Sequence, residues 1–138
     1  MLHRVVPIAL LATIALAGCT TQASNNDSSG KFQGDQRLVA NTVEDFETAA
    51  SKGDQNKICR DLLAKSLVDQ YAQHGGTCET AVDGALKDTD SFGLTVESVA
   101  INGQEATARV KADRGKHDVM QNIALTKQGA GWRISQFG

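Results

Sequence analysis

The chain of 138 residues predicts an α+β domain: three N-terminal helices packed on an antiparallel four-stranded sheet. Two observations carry this. Apolar residues recur every three or four positions from Gln36 to Leu86, and every second position after Asp90. The second half also holds regularly spaced glycine-bearing turn signals, of which Asn102-Gly103 is the strongest.

The first helix is predicted over Gln36–Lys52, with Val39, Val43, Phe46 and Ala50 on one face and Gly53 as its stop. Asp54 then caps a second helix that buries Ile58, Cys59, Leu62 and Leu63. A further helical turn or two spans Ser66 to Gln73, with Leu67, Val68 and Tyr71 inward, and Gly75-Gly76 breaks it. Thr77 caps the third helix, whose stripe is Ala81, Val82, Ala85 and Leu86.

The first strand runs from Leu94 to Ile101. Asn102-Gly103 turns it through a hairpin, both residues being expected at the centre of a two-residue loop with positive φ. In the second strand Ala106, Ala108, Val110 and Ala112 alternate with Thr107, Arg109, Lys111 and Asp113, which gives one apolar and one wet face. Arg114-Gly115-Lys116 makes the next turn. His117 to Thr126 follows as a strand, with Val119, Gln121, Ile123 and Leu125 on one face. Gln128–Gly131 is the last turn and Trp132 to Phe137 the last strand.

One domain suits this length. A formal charge of -2 argues against a nucleic-acid partner, which calls for a basic face. With aromatics at 4%, the core must be mainly aliphatic. The N-terminal stretch is unlike the rest. His3-Arg4 is followed by an apolar run, Val5 to Leu16, of about the length of a signal-peptide core and too short for a membrane span, which needs ~20 residues. Leu16-Ala17-Gly18-Cys19 closes it and resembles the bacterial lipobox, whose cysteine receives diacylglycerol on sulfur and becomes the new N-terminus. That resemblance implies a signal peptide over 1–18, a lipidated Cys19, and attachment to the extracytoplasmic face of the membrane through acyl chains. The alternative is an ordinary secreted protein with a chance cysteine. Residues 19–35 are rich in Ser, Asn, Gln, Asp and Gly, bury almost nothing and read as a flexible tether. Loss of residues 1–18 removes Arg4 and leaves 13 basic against 16 acidic residues, a charge of -3, so acyl chains rather than charge would hold the protein to lipid.

In that oxidising compartment the remaining pair, Cys59 and Cys78, is expected to form a disulfide. The rival readings are free thiols, a metal site with His74 or a catalytic thiol; no CxxC or HxxxH spacing accompanies them. A disulfide here would tie the second helix to the start of the third.

The domain 36–138, with Ala49-Ala50-Ser51-Lys52-Gly53-Asp54, the two cysteines and the closing Gly131-Trp132-Arg133-Ile134, resembles small exported bacterial lipoproteins of actinobacterial type with an NTF2-like (cystatin-like) domain. The resemblance implies a sheet curved around the helices into a cone with an open mouth. It also implies either a small-ligand or protein-interaction module without catalysis, or a cone-pocket enzyme of the ketosteroid isomerase or SnoaL-like dehydratase kind, or a passive envelope protein whose cone is plugged by side chains. Pairing into a homodimer through the open sheet face, beside Arg109 and Lys111, is a further implied arrangement.

An isomerase-type site needs a carboxylate base and a donor that stabilises an enolate. The single tyrosine, Tyr71, reads as a core residue with its hydroxyl at the surface. Asp113 and Asp118 fall on the wet phase of their strands. His74 lies in a loop, and His117 is placed at the mouth of the cone. No catalytic set, cofactor motif or metal-ligand spacing emerges, so a non-enzymatic protein is expected. Gln121 is the one polar residue on its strand face: either it meets a partner or it lines a cavity. A pocket wall of Phe46, Tyr71, Gln121 and Trp132 is predicted for an apolar ligand, with Trp132 as a core anchor in the alternative.

Overall fold

A computed structural model describes residues 28–89 and 92–138. The signal peptide expected over 1–18, Cys19 and most of the expected tether lie outside the described residues. The long helix α1, Gly34–Ser51, buries Val39, Ala40, Val43, Phe46, Ala49 and Ala50, the apolar stripe read from the sequence. It ends where Gly53, at φ +66°, lets the chain turn back: Gly53 N–H donates to the Ala50 carbonyl and Asp54 N–H to the Ala49 carbonyl.

Asp54 caps the next segment by accepting from Lys57 N–H at 3.0 Å. The short helix α2, Gln55–Lys57, widens at once into a π-helical turn, Ile58–Leu62. Leu63 is extended and bridges Ile134, and Ala64 N–H donates to the Ile134 carbonyl at 2.7 Å. That pairing separates the second helix from α3, Lys65–Gln73. The described residues hold four α-helices rather than three, because the turn or two expected over Ser66–Gln73 is a full nine-residue helix. The fourth, α4, is Cys78–Lys87, opened by a capping box between Thr77 and Thr80.

Cys59 and Cys78 form a disulfide with their Cα atoms 5.9 Å apart. It joins the π turn to the first residue of α4, as the sequence predicted.

Strands β1 (Gly93–Asn102), β2 (Glu105–Arg114), β3 (His117–Gln128) and β4 (Gly131–Phe137) form one antiparallel meander in that order. Each hairpin has a two-residue loop opening on a glycine of positive φ, namely Gly103, Gly115 and Gly129. The first loop is Gly103-Gln104, one residue later than expected, because Asn102 pairs with Glu105.

Two bulges shape the sheet. Between Val96 and Ser98 the register shifts and Glu97 is left over. Leu94 and Val96 face inward before it, and Val99 faces inward after it. The second shift leaves Ser135 over between Ile134 and Gln136. Bulges bend a strand and increase its twist. Here they fold the inner face over the helices and change which residues it presents.

The core lies between α1, the π turn and the inner sheet face. Its largest fully buried members are aliphatic: Ile58, Leu125, Ile134, Val39, Val43, Val96 and Val110. Both sheet edges are covered. At β1, Ser28 Oγ accepts from Val96 N–H and the Gln36 amide donates to the Val99 carbonyl. At β4, Leu63 and Ala64 take that role, blunting an edge that would otherwise invite pairing.

The sequence reading of 19–35 as a loose tether is corrected at its C-terminal end. Ser28 Oγ donates to Glu44 at 3.0 Å and Ser29 N–H donates to the same carboxylate oxygen at 2.7 Å. Ser29 is only 4% exposed, and Phe32 packs against the core. Among the described residues the fold is thus already held at Ser28. A polar serine becomes fixed because α1 and β1 offer it a carboxylate and an unpaired amide.

Candidate functional site

The inner sheet face and the helices do not meet everywhere. Between them lies a cavity of about 510 Å³, within the range of small-molecule sites. Its floor is the sheet: Leu94 of β1, Ala112 of β2, and Gln121 and Ile123 of β3. Its roof is Ala81, Val82, Ala85 and Leu86 of α4, the stripe expected to face inward, with Tyr71 of α3 beside it. Phe46 of α1 closes the inner end. The lip is formed by Asp88 and Thr89 after α4 and by Asp113, Arg114 and Gly115 at the β2–β3 hairpin.

Phe46 is the hub of an aromatic group. Its ring meets Phe92 edge-on at 5.6 Å between centroids, and Phe137 in a tilted contact at 5.2 Å. Phe137 reaches this place through the second bulge. In unbroken alternation Trp132, Ile134 and Gln136 would face inward. With Ser135 left over, Gln136 gives way to Phe137, which pairs with Ile123 and joins the cavity wall.

The wall's polar groups are sparse. The Gln121 side chain is partly buried on the floor, and neither its amide nor the Tyr71 hydroxyl makes a hydrogen bond to a described residue. The charged groups Asp88, Asp113 and Arg114 are exposed at the lip. Asp113 is committed to its own turn, accepting from Gly115 N–H at 2.9 Å. Among the described residues no cluster of three His, Cys, Asp or Glu side chains could hold a metal ion.

Of the predicted wall, Phe46, Tyr71 and Gln121 line this cavity. Trp132 does not. It is 3% exposed, its indole N–H is buried without a partner, and the Lys127 ammonium lies 5.7 Å from its ring centre. Trp132 sits on the core side of the bulge, so it anchors β4, the alternative role the sequence left open. His74 and His117 are exposed and neither lines the cavity. The sequence reading missed Phe92 and Phe137. Neither position carries a local signal, since the bulge that turns Phe137 inward is a property of strand pairing.

Beside the cavity, Asp83 of α4 accepts from Lys87 at 2.5 Å and from Gln55 at 2.9 Å. The Lys87 contact holds the Asp83 carboxyl below its ordinary range, and Asp83 in turn raises Lys87.

The fold has solved counterparts. The chain is similar to a de novo designed NTF2 fold protein, NT-9, with a TM-score of 0.52 and 11% identity over 76% of this chain and 87% of that one. The domain has an NTF2-like fold. A second solved chain, a variant of the protein Rd1NTF2_05, aligns with a TM-score of 0.45 and 15% identity over 74% of this chain and 95% of that one. No protein-family model matches the sequence, and no curated protein matches it significantly.

Proposed function

We propose that this is an exported, lipid-anchored protein of the bacterial envelope whose NTF2-like domain binds a small apolar ligand without transforming it. The observation that carries the binding reading is the cavity: an apolar chamber with two uncommitted neutral polar groups inside and charges only at its lip. Burying apolar surface would drive binding, and Gln121 and Tyr71 would orient the ligand. Against the isomerase or dehydratase alternative stand the cavity's two acids. Asp88 and Asp113 are exposed, and neither hydrogen-bonds Tyr71.

The anchoring reading rests on the sequence around Cys19. It gains a geometric consequence from Ser28, which is held against α1 and β1. Nine residues after Cys19 reach at most roughly 30 Å. A lipid on Cys19 would therefore keep the domain close to the membrane surface.

Native mass spectrometry of the protein extracted from its own membrane tests both parts. The expected result is a covalent mass increase of acyl chains plus a dissociable small molecule. Loss of the chain from the membrane fraction on Cys19→Ser is expected as well. A Cys19→Ser product that stays in the membrane would overturn the anchoring. A purified domain that retains no small molecule and takes up no apolar probe would overturn the binding.

A further inference from the structure

The cavity wall says more about the ligand than its polarity. The chain has six aromatic residues, four Phe, one Tyr and one Trp. Four of them, Phe46, Tyr71, Phe92 and Phe137, line this one cavity. Apart from Trp132, Phe32 and the disulfide, the rest of the core is built from Val, Ile, Leu and Ala. Aliphatic residues would therefore have sufficed to make a greasy chamber.

The rings are also arranged. Phe46 holds Phe92 edge-on and Phe137 at a tilt, so faces and edges are presented at several angles around one space. Ring faces are electron-rich and ring edges electron-poor, and such a set fits the faces and edges of another ring. Phe137 is 42% exposed, so part of its ring is open for contact. On the floor, Gln121 shares a strand face with Ile123, the partner of Phe137, one pleat repeat away. It offers one neutral amide. Charges of both signs stand only at the lip, and a buried, unpaired charge would be costly.

We infer that the ligand is a flat, uncharged molecule built on fused or linked rings, with a carbonyl or hydroxyl group presented to Gln121. This rests on the ligand-binding reading above.

The test compares 2-naphthol with 1-decanol, which match in carbon number and hydroxyl group and differ in shape. Binding to the full-length Cys19→Ser chain is measured by titration calorimetry. The expected result is that 2-naphthol binds at least about tenfold tighter, although 1-decanol is the more apolar. Replacing the two outer rings, Phe92→Leu with Phe137→Leu, keeps the cavity apolar. It should weaken 2-naphthol by about threefold to tenfold and leave 1-decanol within about twofold. Gln121→Leu should abolish most of the preference for 2-naphthol over naphthalene. If 1-decanol binds equally well or better, or the paired leucines leave 2-naphthol unchanged, the ring inference fails while the cavity remains a binding site. An undiminished preference in Gln121→Leu removes the placement of the polar group. If neither probe binds up to its solubility, the binding reading itself falls.

Discussion

Gln121→Leu should make this protein more stable, and the expected size follows from the cavity. Gln121 is partly buried on an apolar floor and makes no side-chain hydrogen bond to a described residue. Leucine is only slightly larger and the cavity leaves room for it, so no new cavity or clash is expected. Full burial of a leucine side chain is worth about 1.5–3 kcal/mol, and partial burial about half of that. Relief of an amide that is partly desolvated without a partner adds roughly 0.5 kcal/mol. The sum is a gain of about 1.3–2 kcal/mol, or an increase in Tm of about 5–12 °C for a domain of this size. The assay is thermal unfolding of ligand-free protein followed by circular dichroism, with urea unfolding to check that the m-value is unchanged. A stabilised variant that binds 2-naphthol less well marks a residue held at a cost to stability, as binding sites often are. A fall in Tm would refute the reasoning, because it would mean that the amide has a structural partner.

Three further outcomes are expected. Replacing Cys59 and Cys78 together by Ala should cost about 3 kcal/mol, the chain-entropy value for a loop of this length, read from denaturant midpoints; a change under about 1 kcal/mol would mean that the helices hold together without the bond. Gly53→Ala should cost about 1 kcal/mol in the same measurement, because the alanine would have to adopt φ +66°, while there is space around the position. In an NMR titration the Asp83 carboxyl should protonate below its ordinary value of 3.8. Its folded-state value is lowered, so its contribution is present above the unfolded value and fades as pH falls through the folded one. Lys87→Gln should bring the Asp83 titration back toward the ordinary range.

Much of the fold was legible along the chain. The stripe of α1 is local because a helix's neighbours in space are three or four residues apart. The caps Asp54 and Thr77 and the three glycine loops are equally local, since each solves a problem of dihedral angle or unpaired amide within a few residues. The disulfide was legible from the number of cysteines and the implied compartment. Of the site, Phe46, Tyr71 and Gln121 could be named, because each departs visibly from its surroundings or lies on an inward stripe.

What the sequence determined alone, then, is the order of helices and strands, the buried stripe of α1 and the alternation of β2. Tertiary structure decided the rest. Leu63 and Ala64 leave the helical pattern because Ile134, far along the chain, offers them a carbonyl and a bridge. Ser28 is held because Glu44 and the Val96 amide converge on it. The bulges at Glu97 and Ser135 come from matching one strand to its neighbour, and a shift of one residue reverses the face of everything beyond it. That reversal puts Phe137 into the cavity while Trp132 stays in the core. No local pattern contains it, because it exists only when two strands are side by side.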